Sequence, residues 1–383
     1  MDIGKHLSDN MNRPRCPGLQ FNDLASLAAG VKSLVYTSVR GAGDARLLDR
    51  LCADLKLKKV DLGNNKNVGN VPITCVLIGR SAKKLEAAKK AYRNVLSLEW
   101  GIALDYPECC VRSYIEWNLR RGNEDLIRHI YARSPAGTTF PFWMNNVFNY
   151  YSRLIRPEDR LKYAAFSKLN QGMDRESIIP WHPCSYLCAE TVKKGKLIYD
   201  VMKRYMPLTA ASRKTMLSKP IVFWDKFLFA ILNGRCRTMD GGFIIAYKGL
   251  GGPKSLIGRE TEKILSGRKT LRVRRGEITA PAGLRLPGNH IVIPFAHRDI
   301  RFPAQHQDFE KARVGGPAGK DNKMLSDNIL SYPARGFLQH LAGVERSDTI
   351  QLYPTGGGRN LFLPQTPSCP KVTPPEERLK DKG

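Results

Sequence analysis

No stretch of the chain approaches the roughly eighteen uninterrupted apolar residues of a membrane-spanning helix. A membrane span is therefore not expected. Met1 to Gly18 is polar and lacks the apolar centre of a secretory signal. Paired C-x2-C knuckles are missing, as are a Walker loop and a full G-x-G-x-x-G pattern. Gly41-Ala42-Gly43 and Gly79-Arg80-Ser81 then read as ordinary strand-to-helix turns. Acidic residues are scarce, at 35 Asp and Glu against 62 Lys and Arg, for a net charge of +27. The nine cysteines are odd in number and irregular in spacing, which argues against a disulfide framework. A reducing, cytoplasmic setting is expected.

What is present is a chain of 383 residues, 42% of them apolar, long enough for a sizeable core. The charge is uneven. Residues 201–300 hold 19 Lys and Arg against 6 Asp and Glu, while 101–200 hold 14 against 11. A polyanion partner belongs with the former segment.

Periodicity predicts a small N-terminal α/β layer. Lys32 to Ser38 reads as a strand, Ala45 to Leu55 as a helix, and Lys58 to Leu62 and Val71 to Gly79 as strands. Ser81 caps a helix through Tyr92. Residues 95–205 read as mostly helical, and Phe140 to Leu154 as an aromatic packing segment. Residues 220–305 read as short strands of a small antiparallel sheet; in Thr270 to Arg275, Leu271 and Val273 alternate with Arg272 and Arg274. After Asp308 the periodicity fades, apart from a short helix near 336–341. The expected fold class is α/β, α+β overall. It divides into a flexible N-terminus (1–20), an α/β and helical domain with the Cys/His clusters (21–205), a basic β-rich region (206–307) and a largely disordered tail (308–383).

Two cysteine clusters carry the chemistry. The first is Tyr106-Pro107-Glu108-Cys109-Cys110; the second is Trp181-His182-Pro183-Cys184-Ser185-Tyr186-Leu187-Cys188. Pro107 and Pro183 each suit the first turn of a helix. This predicts Cys109 and Cys110 in one first turn, and Cys184 and Cys188 one turn apart on another helix. Helix N-termini favour thiolates. Adjacent side chains diverge, so the expected site is His182, Cys184, Cys188 and one of Cys109 or Cys110. That Cys3His set suits tetrahedral zinc. An iron–sulfur cluster, thiol redox chemistry and inert buried cysteines are the alternatives. Glu108, between Pro107 and the cysteine pair, is the candidate general base beside a metal-bound water.

The stretch Gly101 to Val111, with His182-Pro183-Cys184 and Cys188, resembles an uncharacterised prokaryotic family, a domain of unknown function. That family shows a G-Y-P-x-C-C-V block and a later H-x-P-C-x3-C block. In this chain Asp105 stands in place of the Gly before Tyr-Pro, and His182 directly precedes Pro183. The resemblance implies a shared site at the cysteines and supplies no activity.

Three functions follow as expectations. The first is a cytoplasmic metal-binding protein, zinc being the expected ion. The second is a nucleic-acid-binding or nucleic-acid-modifying accessory protein. It would contact phosphates through residues 254–275, with Arg268, Lys269, Arg272, Arg274 and Arg275 as the candidate contacts. The third is a thiol redox or iron–sulfur protein.

Overall fold

Cys75, Val76, Leu77 and Ile78 are all buried, so the strand that carries them is covered on both faces. In the computed structural model, residues 21–297 are described, except 64–65, 69–70, 95–96, 120–124, 150–158, 171–176, 268–269, 275–276, 281–285 and 287. The expected N-terminal segment (1–20), the tail (308–383) and the short helix at 336–341 lie outside the described residues. The first elements are α1 (Phe21–Ala28), β1 (Leu34–Arg40), α2 (Gly41–Asp54), β2 (Lys58–Asp61), β3 (Lys66–Val68), β4 (Val71–Gly79) and α3 (Ala82–Arg93).

β4 is the centre of the first sheet. β1 pairs along one of its edges, from Leu34↔Gly79 to Arg40↔Ile73; β2 and β3 share the other, and every pairing is antiparallel. Side chains alternate across the sheet. Val76 and Ile78 pack with Leu48, Leu51 and Cys52 of α2. Cys75 and Leu77 pack with Leu85, Ala88 and Tyr92 of α3. Ser81 caps α3 as expected, its hydroxyl accepting from the Lys84 N–H at 3.4 Å.

The middle of the chain is helical, as expected. It contains α4 (Ser97–Ala103), α5 (Glu108–Leu119), α6 (Leu126–Ala132), a two-residue strand β5 (Phe140–Pro141), a 3-10 turn (Phe142–Met144), α7 (Asp159–Asn170), α8 (Ala189–Tyr205) and α9 (Pro207–Leu217). Phe140, Phe142, Trp143, Met144, Val147 and Phe148 are all buried in the largest core, as expected of the packing segment; its end, 150–154, lies outside the described residues. Each such large side chain contributes about 1.5–3 kcal/mol of burial.

The last part forms a six-stranded antiparallel sheet. Its strands are β6 (Ile221–Phe223), β7 (Phe229–Met239), β8 (Gly242–Gly251), β9 (Thr270–Arg274), β10 (Glu277–Ala280) and β11 (Ile291–Ile293), in the order β10-β9-β8-β7-β6-β11. Helix α10 (Arg259–Ser266) covers one face through Leu265. β12 (Phe295–Ala296) leaves this sheet and pairs parallel with β5. The apolar residues on either side of the Asp225-Lys226 turn are divided between two cores. Ile221, Phe223, Phe229 and Ile231 face the largest core, while Val222, Ala230 and Leu232 face the core under α10. Beyond the bulge at Leu232/Gly234 only the α10 side is covered, and the other face carries charge.

Candidate metal centre

The first cluster is set by a helix-to-helix turn. α4 ends in a residue of left-handed conformation, Asp105, at φ +60°. The N–H groups of Asp105 and Tyr106 return to the carbonyls of Ile102 and Gly101, at 2.8 and 3.1 Å. Glycine is the usual residue for such a helix end. Asp105 stands where the resembled block has glycine, and its carboxylate is held there. It accepts from the Ser33 N–H at 2.7 Å, touches the Ser33 hydroxyl, and pairs with Lys84 at 3.5 Å. Pro107 then supplies the carbonyl that accepts from the Cys110 and Val111 N–H groups, opening α5. Cys109 and Cys110 lie in its first turn, as expected.

The second cluster differs from its expectation. Pro183 does not start a helix: α8 begins at Ala189 with Cys188 as its N-cap. Residues 184–188 form a tight turn in which Ser185 accepts from the Cys188 N–H through its carbonyl and from the Leu187 N–H through its hydroxyl. Ser134 from beyond α6 accepts from the Tyr186 N–H at 2.9 Å. With Tyr186 and Leu187 fully buried, these contacts hold the segment as a loop.

The two segments bring four sulfurs together. Sγ of Cys188 lies 3.6 Å from those of Cys109 and Cys110, which are 3.9 Å from each other. Cys184 completes the group, and all four sulfurs lie within 4.8 Å of one another. Such a cluster could hold a metal ion. Both adjacent cysteines take part, against the expectation that one would turn away. The Cα–Cβ bonds of a first helical turn lean toward the N-terminus, so both thiols can reach ahead of α5.

Electrostatics favours negative charge there. The sulfurs of Cys109, Cys110 and Cys188 sit at the N-termini of α5 and α8. Hydrogen bonds from Cys109, Cys110 and Cys184 hold the Cys188 thiol well below its ordinary range. Burial pushes the Cys110 thiol up, and the hydrogen bond with Cys109 pushes Cys184 up. Cys110 Sγ also meets Thr191 Oγ1 at 3.1 Å and accepts from the Cys184 N–H at 3.3 Å. Thr191 in turn accepts from the Trp181 indole N–H at 3.2 Å. Thr191 was not singled out from the sequence; its place three residues after Cys188 on α8 is the signal that marks it.

His182 is not in this group. Tyr186 donates to Oδ1 of Asn146 at 3.2 Å, which turns the amide nitrogen of Asn146 toward His182 Nδ1 at 2.9 Å. The imidazole therefore accepts at Nδ1 and carries its proton on Nε2. It stacks on Tyr114, with ring centroids 5.8 Å apart, and burial lowers its pKa to about 4. Glu108 is exposed and pairs with Arg112 one turn on, its carboxylate 2.7 Å from Nε; it too lies outside the thiol group.

Of the candidate phosphate contacts, Arg268, Lys269 and Arg275 lie outside the described residues. Arg272 and Arg274 are exposed on β9, alternating with buried Leu271 and Val273 as expected. Cross-strand registers put Arg237, Ile244 and Arg272 in one row, and Arg235, Ala246 and Thr270 in the next. Arg235 and Arg237 of β7 and Lys248 of β8 are also exposed. They join Arg272 and Arg274 on one solvent face of the sheet, which the sequence reading missed because strand pairing is non-local. No helix of the described residues is long and apolar enough to cross a membrane.

No curated protein and no solved structure matches the chain. A family does match, over the stretch that holds both cysteine clusters. Residues 83–214 match the model of an uncharacterised family, described as protein of unknown function (DUF483).

Proposed function

We propose that this protein binds a single zinc ion through Cys109, Cys110, Cys184 and Cys188, and that the ion is structural. One observation carries the reading. A tetrahedral ion about 2.3 Å from each thiolate sets its ligands about 3.8 Å apart. The sulfurs of Cys109, Cys110 and Cys188 stand 3.6, 3.6 and 3.9 Å apart, and with Cys184 all four lie within 4.8 Å of one another. Four protein ligands close the coordination sphere, which is the signature of a structural site. The ion ties the start of α5 to the start of α8, segments about eighty residues apart in sequence. An iron–sulfur cluster fits less well, because its thiolates sit on different irons and spread around a larger cage. A single tetrahedral iron would share the spacing, and its colour distinguishes it.

The test is chelation. Removing zinc should cost several kcal/mol and lower Tm on the order of 10 °C, restored by added zinc. An unchanged melting curve in protein freed of metal overturns the structural role.

A second reading rests on the second sheet. Arg235, Arg237, Lys248, Arg272 and Arg274 share its solvent face, with Glu277 as the acidic neighbour of Arg274. The rows between them hold Ile244, Ala246 and Thr270, with no aromatic ring for a base to stack on. The chemistry is that of a surface for nucleic-acid phosphates, without base readout.

A further inference from the structure

Beside the thiol cluster, with Cys110 in its wall, lies a cavity of about 140 Å3. Two sets of rings line it. Tyr36, Tyr92 and Trp100 come from β1, α3 and α4, with Trp100 5.8 and 5.1 Å from the two tyrosines. Tyr106 and Trp181 flank the cysteines and lie 5.6 Å apart. A dry cavity of about 150 Å3 accepts one benzene ring, so this one holds a single six-membered ring.

The polar groups narrow the class. Lys32 is only 4% exposed and lines the cavity beside Asp23, a second lining residue whose carboxylate is already taken up by the ammonium at 3.2 Å. A buried ammonium is costly, and a purely structural position would be filled more cheaply by an apolar side chain. Its charge already lies over the Tyr106 ring, 5.1 Å from the centroid. A ligand cation would meet like charge there. His182 also lines the cavity; with Nδ1 engaged by Asn146, its Nε2–H is a second donor. Aromatic walls with an ammonium and an N–H suit a flat ring that bears oxygen acceptors.

We infer that this cavity binds one six-membered aromatic or heteroaromatic ring, neutral or anionic, carrying carbonyl or carboxylate oxygen, the class to which pyrimidine bases belong. The wall rings stack on it, and Lys32 holds its oxygen. The ring is either a free small molecule or a base of a polynucleotide.

The test uses full-length protein and saturation-transfer NMR with uracil, benzoate and benzylamine as probes. Uracil and benzoate should bind saturably at millimolar concentration or below, and benzylamine should not. Ile115→Phe places a ring in the cavity and should abolish both signals. Lys32→Met/Asp23→Asn removes the ion pair together, leaving no buried carboxylate unpaired, and should weaken benzoate about tenfold or more, and benzoate more than uracil. This second variant carries the test if Ile115→Phe fails to fold. An oligouridylate that competes with uracil would support the inference and assign the ring to a polynucleotide; uracil binding without that competition would support it and assign a free ring. Benzylamine binding as tightly as benzoate, unchanged binding in both variants, or no saturable signal from either oxygen-bearing probe overturns the inference.

Discussion

Asn146 holds His182: the amide nitrogen lies 2.9 Å from Nδ1 of the imidazole. That contact, fixed by Tyr186 on the amide oxygen, engages the ring nitrogen that would otherwise be open to a metal. His182→Ala should therefore keep the full metal content, while Cys110→Ser should lose it. The histidine variant should also lose about 1–3 kcal/mol of stability, since Asn146 is left with an unmet donor. Elemental analysis beside thermal melts checks both statements. Metal loss in His182→Ala would return the imidazole to the ligand set.

Gly101 fixes how closely α4 meets α5. A Cβ added there would lie 2.6 Å from both γ-methyls of Val111. Valine is stiff about χ1 and cannot turn both methyls away. Gly101→Ala should cost about 1–3 kcal/mol despite alanine's better helix propensity. Adding Val111→Ala should recover part of that loss, because the clash goes with the methyls. Denaturant unfolding of the single and double variants reads the coupling.

Asp125 caps α6, accepting from the Ile127 N–H at 2.8 Å and from the Lys226 N–H at 3.1 Å. Burial nevertheless raises its pKa from 3.8 to about 6. A carboxyl whose folded pKa is raised binds more protons folded than unfolded between those values. Its contribution to stability therefore rises as pH falls from about 6 toward 4, and levels off outside that window. Asp125→Asn keeps the acceptor and should flatten this slope. Asp125→Ala removes the cap and should cost about 1–2 kcal/mol at neutral pH. Melting curves across pH 4–7 separate the two effects.

The basic face of the second sheet makes its own demand. If Arg237 and Arg272 contact phosphates, Arg237→Glu/Arg272→Glu should weaken duplex binding and flatten its salt dependence. Affinity should fall similarly on unrelated sequences, since the face offers no base readout. Binding that is insensitive to salt, or unchanged in the double variant, would remove this surface from the account.

Local signals carried much of this fold. Ser81 before Leu85 and Ala88, or Leu271 and Val273 alternating with arginines, need only their neighbours to be read, and both hold in the structure. Pro107 marked the start of α5 for the same reason. Pro183 misled, because Ser134, far away in sequence, holds Tyr186 in a loop that propensity alone cannot foresee. The same loop decides which candidates meet. With Cys184 on it and Cys188 at a helix cap, the second segment brings both its thiols to those of α5, while His182 lies outside the group. The aromatic cavity had no sequence signature, since its rings come from residues 36 to 181.

The most direct measurement is elemental analysis with an absorption spectrum of anaerobically purified protein, wild type against Cys184→Ser/Cys188→Ser. The wild type should carry about one zinc per chain, with no visible band, and the variant none. Metal retained in full by the double variant, iron with sulfide in the wild type, or no metal in either would overturn the zinc site.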